Sequence, residues 1–301
     1  AKNGSDATEA AVRLARHVTG NTVILTTGYH GFHSDLVTST PGKMGGILDE
    51  CYINCTTIPS PIVLLEMLHL RKNEIACVLA EPVFQDGTIW PWGEIKEACH
   101  KAGALLIFDE VITGFRYGAG PALSSVAAPP ADTIEPDLYC FGKAIANGMP
   151  LACVAGPREL MKEYEENVFF SSTASAECLS LAACKATLQV MQREPVHEHL
   201  WKIGQRLIDG IKQIPHHYEV AQGNLVEGAT LRPIRRQAHI VGLPPRTQFR
   251  FPSDNKARDR FLTGMVQKGH LLGRDNFPTY SHTEEDVDSL LKAAEEVLND
   301  L

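Results

Sequence analysis

The sequence predicts an α/β protein with a mostly parallel central sheet flanked by helices, followed by a smaller α+β domain. Short apolar runs alternate with helical stretches along most of the chain, which is the rhythm of successive βαβ units. After about residue 215, short β-like pieces alternate with two helices instead. We therefore expect a large α/β domain over residues 1–210 and a small C-terminal α+β domain over residues 211–301.

The individual elements are predicted from apolar runs, helical periodicity and end signals. The strands predicted for the large domain cover 21–26, 76–80, 104–111, 136–141 and 152–155, and the helices predicted before residue 215 cover 8–18, 61–71, 92–102, 177–193 and 197–214. The small domain is predicted to contain β-like pieces at 219–220, 230–231, 239–241 and 248–251 and helices near 254–268 and 284–301. Asp6 with Glu9, and Thr283 with Asp286, have capping-box spacing at the starts of the first and last helices.

The composition excludes several classes of protein. The chain has 301 residues, a net charge of -8 and only one basic cluster, Arg232 with Arg235 and Arg236, which we interpret as a solvated face. We therefore expect no nucleic-acid partner. No apolar run approaches the roughly 20 residues of a membrane helix and no leader pattern opens the chain, so we expect no membrane partner. Eight scattered cysteines lack zinc-binding or disulfide spacing, so we expect no metal and a cytoplasmic protein with reduced thiols.

The predicted strand 104–111 ends in the first candidate for chemistry. Five apolar residues lead into Asp109, and the carboxyl end of a parallel strand opens at the ligand crevice of an α/β sheet. Because side chains alternate along a strand, Asp109 and Val111 point the same way and Glu110 points elsewhere. Taken alone, the aspartate could equally be a turn cap.

The segment 136–141 leads to Gly142 and Lys143, the second candidate. A lysine delivered from a buried strand suits imine chemistry, because burial lowers the pKa of its amine towards the nucleophilic neutral form. A pyridine aldehyde cofactor needs such a lysine and a carboxylate at its ring nitrogen. The pair Lys143 and Asp109 therefore points to pyridoxal 5'-phosphate, although a lysine after glycine is ordinarily a solvated surface charge.

Weaker signals surround this pair. Gly4 and Ser5 stand just ahead of a predicted helix, where free N–H groups form a ready phosphate site, or merely a cap. Tyr29 could stack on a cofactor ring or pack at the base of a loop. His30 is either a supporting donor or an ordinary loop histidine, and Glu81 ends a predicted strand, where it orients the cofactor or forms an ion pair. The hydroxyl cluster 171–173 precedes a helix and could hold an anion.

In these residues the chain resembles a class-III pyridoxal-phosphate-dependent aminotransferase of fold type I, nearest the glutamate semialdehyde aminomutase-like branch. The aspartate-glutamate-valine element beginning at Asp109, followed by the glycine-lysine element at Lys143, is the most specific part of the resemblance. The stretches that carry it cover 3–7, 28–31, 108–116, 141–150 and 171–177, in the family's order along nearly the whole chain.

The resemblance implies roles for the candidate residues. Lys143 holds the cofactor as a Schiff base and then moves the proton between substrate and cofactor, and Asp109 bonds the pyridine nitrogen. Val111 and Tyr29 cover the two ring faces. The remaining cofactor contacts are implied at Gly4, Ser5, His30, Glu81 and Thr173.

Thr173 is implied to reach the phosphate bound in a neighbouring subunit, so the resemblance predicts a homodimer with shared active sites. The function implied is an aminotransferase that moves an amino group from an amino donor to a carbonyl acceptor: a keto-sugar, cyclitol, semialdehyde or keto acid. Two alternatives stay open. One is an aminomutase of the glutamate semialdehyde type, and the other is a truncated, non-catalytic protein of this fold, because the family pattern includes a segment before the phosphate loop that this sequence lacks.

Overall fold

The computed structural model describes residues 1–39, 42, 45–126, 134–214, 239–251 and 255–300. The chain forms two compact units: a large unit of Ala1–Pro82 with Ile89–Arg193, and a small unit of Val83–Thr88 with Glu194–Leu301. The large unit thus ends before the predicted domain boundary after residue 210, and that boundary stays a prediction. Among the described residues, no helix is both long enough and apolar enough to cross a membrane.

The described residues of the large unit form a six-stranded sheet with helices. Its strands are β1 Val23–Thr26, β2 Cys55–Thr57, β3 Ile75–Ala80, β4 Leu105–Glu110, β5 Leu138–Phe141 and β6 Cys153–Ala155. Its helices are α1 Gly4–Thr19, α2 Asp49–Asn54, α3 Pro61–Leu70, α4 Trp92–Ala102, α5 Leu123–Val126, α6 Arg158–Met161, α7 Glu163–Glu166 and α8 Cys178–Arg193. The sequence reasoning missed β2 and α2, whose stretch has neither a long apolar run nor a clear period.

The strand order is β2-β1-β3-β4-β5-β6, and every neighbouring pair is parallel except β5 with β6. All six residues of β3 are buried, as expected for a central strand covered on both faces. In the register of β4 with β5, Asp109 lies opposite Cys140. The ends of β3, β4 and β5 therefore lie at one edge of the sheet, and the predicted α/β class with a mostly parallel sheet is confirmed.

In the part of the small unit that the structure describes, there are three long helices and one hairpin. These elements are α9 Val196–Gln213, β7 His239–Leu243, β8 Arg246–Arg250, α10 Asn255–Gln267 and α11 Glu284–Asn299. Phe261, Met265 and Ala294 are fully buried in its core, and burying one large apolar side chain stabilises a fold by about 1.5–3 kcal/mol. The pieces predicted at 219–220 and 230–231, and the basic cluster at 232–236, lie outside the described residues.

The starts of two helices test the capping predictions. Helix α1 begins at Gly4 rather than near Thr8, so the predicted capping role of Asp6 with Glu9 is wrong. Asn3 caps the helix: its Oδ1 accepts from the Asp6 N–H at 3.0 Å, and its Nδ2 donates to the Asp6 carboxylate at 2.7 Å. The helix therefore begins four residues, about one turn, before the predicted start. At α11, the predicted capping box is present.

Candidate active site

The carboxyl ends of the central strands open into a cavity of about 360 Å³ in the large unit, within the size range of small-molecule sites. Its lining includes all the predicted cofactor-binding residues except one: Gly4, Ser5, Tyr29, His30, Glu81, Asp109, Val111 and Lys143. Of the described residues, Thr173 is not part of this lining and is exposed in the loop before α8. Residues from five separate stretches of sequence thus meet at the predicted edge of the sheet.

Asp109 is the best-anchored group in the cavity. Its side chain is buried at the end of β4, and its Oδ2 lies 2.8 Å from Nδ1 of His30, which is also buried. Its Oδ1 accepts from the Val111 N–H at 3.0 Å. Because a carboxylate can only accept, His30 carries its proton on Nδ1. A buried charge held by two donors has a fixed orientation and an offset desolvation cost.

His30 is itself held by neighbours on two sides. Its carbonyl accepts from the buried Thr8 hydroxyl at 2.7 Å, and its Nε2 lies 3.5 Å from Oγ1 of Thr27. The loop histidine predicted from sequence is therefore a positioned partner of Asp109. Nothing in the local sequence indicates this contact, since the two residues are 79 positions apart.

Val111 is packed between Gly4, at the start of α1, and Gly142, in the loop that carries Lys143. A Cβ on Gly4 would lie 2.7 Å from Cγ1 of Val111, and a Cβ on Gly142 would lie 3.2 Å from the same atom. Any side chain at Gly4 would therefore displace the valine. The absence of a side chain at both positions lets the start of α1 and the lysine loop close on this apolar wall.

The start of α1 presents N–H groups to the cavity. Gly4 and Ser5 are the first two helical residues, so their N–H groups have no acceptor within the helix. The Ser5 hydroxyl accepts from the Phe32 N–H at 3.3 Å. Gly31 has a positive φ of 125°, and a Cβ there would lie 3.0 Å from the Ser5 hydroxyl oxygen. Close packing of two loops therefore places an anion-binding helix end at the cavity.

Lys143 follows β5 after one glycine and begins a 3₁₀ turn, Lys143–Ile145. Its φ of 42° lies in the left-handed region, which is uncommon for a residue with a side chain and frequent at functional sites. The predicted burial of Lys143 is wrong: the residue is exposed, because it lies beyond the end of the strand where the cavity is open.

Tyr29 and Glu81 occupy the less buried parts of the cavity. Tyr29 is 63% exposed, so the alternative of packing at the base of a loop is not observed. Glu81 directly follows β3 and is partly buried. Their predicted cofactor contacts stay predictions, as does the reach of Thr173 into a neighbouring subunit.

Lys2 lines the cavity and was not predicted. Its Nζ lies 2.7 Å from Oε1 of Glu177 and 3.2 Å from the hydroxyl of Ser180. The Glu177 carboxylate also accepts from the N–H groups of Leu179 and Ser180 at the start of α8. The hydrogen bonds from the Lys2 and Ser180 side chains, together with those N–H donors, lower the pKa of Glu177 to about 2. The sequence signal that could have indicated Lys2 is its position two residues before Gly4. Its partner Glu177 is 175 residues away in the sequence, so the contact itself could not be predicted.

The family model for class-III aminotransferases matches residues 1–229. The chain belongs to the class-III aminotransferase family. Among its curated relatives, the glutamate-1-semialdehyde 2,1-aminomutase of Desulfosudis oleivorans is 30% identical over 335 residues, covering 99% of this chain and 73% of that enzyme. The enzyme of the same name from Thermus thermophilus is 31% identical over 321 residues, covering 98% of this chain and 72% of the relative.

Solved structures agree with this family assignment. The FumI protein of Sphingopyxis sp. MTA144, in its PLP internal aldimine form, superposes with a TM-score of 0.81 at 25% identity, covering 100% of this chain and 70% of that one. An omega-transaminase from Sphaerobacter thermophilus has a TM-score of 0.81 at 20% identity, covering 99% and 73%, which shows the shared fold alone. The predicted class-III family, fold type and enzyme class are confirmed.

Proposed function

We propose that this class-III family member is a pyridoxal-phosphate-dependent aminotransferase that moves an amino group from an amino donor to a carbonyl acceptor. One observation carries the proposal: an amine, Lys143, a buried carboxylate, Asp109, and the N–H groups of the α1 start line one cavity. These are the three kinds of group that a phosphorylated pyridine aldehyde requires. The match to the class-III aminotransferase family model supports it.

The residues of the cavity fit the cofactor. The N–H groups of Gly4 and Ser5 at the start of a 16-residue helix suit the phosphate. Val111 offers an apolar wall for the ring. Because a Cβ at Gly4 would lie 2.7 Å from Val111, this wall packs directly against the start of α1, where the phosphate would bind. The buried Asp109 offers an acceptor for a protonated ring nitrogen.

When bound, pyridoxal phosphate supplies an aldehyde for imine formation and a ring that accepts electrons. Asp109 would accept a hydrogen bond from the ring nitrogen and favour its protonated form, because an ionised acceptor stabilises a positive charge beside it. His30 prevents that carboxylate from rotating away, since its Nδ1 holds Oδ2 at 2.8 Å. The Lys143 amine would hold the cofactor through its aldehyde carbon, and as a free amine it would accept the proton from the substrate carbon and donate it back.

The test is uptake of pyridoxal phosphate by the purified chain. Wild-type protein should develop a visible absorption band that borohydride reduction makes permanent, with the label on Lys143. Lys143→Ala should lose the covalent label. Lys101→Ala, on the exposed face of α4, is the matched control and should behave like wild type. Absence of the band in the wild type would favour the third reading, a non-catalytic protein of this fold.

A second candidate is an aminomutase of the glutamate semialdehyde type, favoured by the relatives at 30–31% identity. Both reactions use the same lysine and the same carboxylate, so the cavity supports either one. Turnover with and without a separate amino donor distinguishes them: an aminotransferase requires a donor, whereas an aminomutase converts one substrate alone.

The assembly and location are further parts of the proposal. We infer a homodimer in which Thr173 of one subunit reaches the phosphate site of its partner, a role supported by its exposure in this chain. Sedimentation should show a dimer, and Thr173→Val should weaken cofactor binding.

All eight cysteines are free and most are buried, which supports a reducing, cytoplasmic location.

A further inference from the structure

Glu110 is a fully buried carboxylate on the face of β4 opposite to Asp109. Side chains alternate along a strand, so the two neighbouring acids point to opposite sides of the sheet. Glu110 is not among the described residues that line the active-site cavity. Its position therefore requires an explanation other than contact with a ligand.

Both oxygens of Glu110 bind the segment that follows it. The Thr113 hydroxyl donates to Oε2 at 2.5 Å, and the Ala122 N–H donates to Oε1 at 2.9 Å. Both donors belong to fully buried residues. We call residues 111–122 the β4 loop. A single carboxylate thus binds near the beginning of this loop and at its last residue, just before α5.

The backbone of the β4 loop is tightly folded between these two bonds. Gly114 N–H donates to the Glu110 carbonyl, and Phe115 N–H donates to the Gly120 carbonyl, both at 2.9 Å. Phe115 has a φ of 59°, an unfavourable value for a residue with a side chain. A Cβ on Gly114 would lie 2.6 Å from the ring of Phe141. Such a fold persists only where its surroundings hold it.

The first residues of the β4 loop form a wall of the active site. Val111 and Ile112 both line the cavity, and the Val111 N–H is held by Oδ1 of Asp109 at 3.0 Å. The two neighbouring carboxylates of β4 therefore hold one loop from opposite faces of the sheet. Asp109 binds the loop on the cavity side, and Glu110 binds it from behind.

We propose that Glu110 is a positioning residue that keeps Val111 and Ile112 in the active-site wall by fastening both ends of the β4 loop. The inference rests on the proposed cofactor role of this cavity. Glu110 touches neither cofactor nor substrate and acts through the loop alone.

The electrostatics of Glu110 agree with this role. Burial raises the pKa of its carboxyl to about 7, although the bonds from Thr113 and Ala122 lower it. The nearby negative charges of Asp109 and Glu81 raise it further. An apolar side chain would avoid the desolvation cost of burying a carboxylate but could not accept the two hydrogen bonds. These two bonds are therefore what the acid contributes at this position.

The first experiment measures hydrogen exchange in the full chain without added cofactor. In Glu110→Ala the β4 loop should exchange about 10- to 100-fold faster, because two buried donors lose their acceptor. Glu110→Gln should stay near wild type, since its amide can accept from Ala122 and donate to the Thr113 hydroxyl. Glu97→Ala, on the exposed face of α4, is the control and should change nothing.

The second experiment titrates the same proteins with pyridoxal phosphate. Glu110→Ala should bind about tenfold or more weakly, and Glu110→Gln should restore affinity to within about threefold of wild type. Thr113→Val removes one bond only and should give intermediate values in both experiments. It also serves as the test variant if Glu110→Ala does not fold.

Two results would overturn the proposal. Unchanged exchange of the β4 loop in folded Glu110→Ala and Thr113→Val would show that the carboxylate does not hold the loop. Faster exchange with unaltered cofactor affinity would show a purely structural role. Failure of the wild type to bind pyridoxal phosphate would instead refute the proposed function, and the exchange data would still report on the loop itself.

Discussion

The two sides of the active-site cavity are built differently. On the β4 side, Asp109 and His30 are buried and hydrogen-bonded to each other, and Val111 is wedged between glycine-containing loops. On the rim, Tyr29 and Lys143 are exposed. The β4 side is thus oriented by the fold before any ligand binds, whereas the rim residues remain accessible. Substitutions on the β4 side should therefore change stability and activity together, and those on the rim should change activity with little effect on stability.

The largest expected effect is on catalysis. Asp109→Asn should slow turnover by roughly two to four orders of magnitude, since about 3–5 kcal/mol separates a paired from an unpaired buried charge. The neutral amide cannot keep the ring nitrogen protonated. Steady-state kinetics with saturating cofactor measure this. A decrease in turnover smaller than about tenfold would show that Asp109 does not take part in the reaction.

The difference in stability between the two sides comes next. Asp109→Ala leaves the buried His30 without its partner and should reduce the free energy of unfolding by about 3 kcal/mol. Lys143→Ala removes an exposed side chain and should change it by at most about 0.5 kcal/mol. Urea unfolding of both cofactor-free variants measures the contrast. Equal losses would show that the rim is as tightly integrated as the β4 side.

Glu110, the residue next to Asp109, should make the free energy of unfolding depend on pH. The pKa of Glu110 is about 7 in the folded protein against 4.5 ordinarily, so between these values the folded state retains a proton that the unfolded state releases. The contribution of Glu110 to wild-type stability therefore falls as the pH rises from 4.5 to 7. The Glu110→Gln variant has no ionisable group at this position, so its stability should not fall in this way as the pH rises.

The difference in unfolding free energy between Glu110→Gln and wild type should thus move in favour of the variant by up to about 3 kcal/mol as pH rises through this window. Urea unfolding at pH 5 and pH 8 measures it. Asp288→Asn, an exposed acid on α11, is the control. A constant difference at both pH values would mean that Glu110 titrates normally.

The smallest expected effect is at the rim. Tyr29 is 63% exposed, so Tyr29→Ala should leave the unfolding free energy within about 0.5 kcal/mol of wild type. If the ring stacks on the cofactor, the same change should weaken cofactor binding by about tenfold, since an aromatic pair contributes about 0.5–1.5 kcal/mol beyond its buried area. Thermal unfolding and cofactor titration measure the two quantities. Tyr29→Phe keeps the ring and should restore binding.

Much of the fold was predictable because local signals agreed with it. The apolar run before Asp109 and the helical period of 92–102 correspond to β4 and α4 almost residue for residue. The start of α1 was misplaced because Asn3, Asp6 and the following residues offer competing caps, and only the actual hydrogen bonds choose between them. The short strand β2 escaped prediction because its pairing with β1, rather than its own pattern, makes it a strand.

The candidate site shows the same division. The sequence by itself determined the family and the chemical groups, because the aspartate-glutamate-valine element at Asp109 and the glycine-lysine element at Lys143 are each read from consecutive residues and are specific in combination. Only the tertiary structure decided which side chains meet: His30 with Asp109, Lys2 with Glu177, and Glu110 with both ends of the β4 loop. These partners are chosen by sheet topology and loop packing, which bring distant residues within hydrogen-bond distance and leave no periodic trace in the sequence.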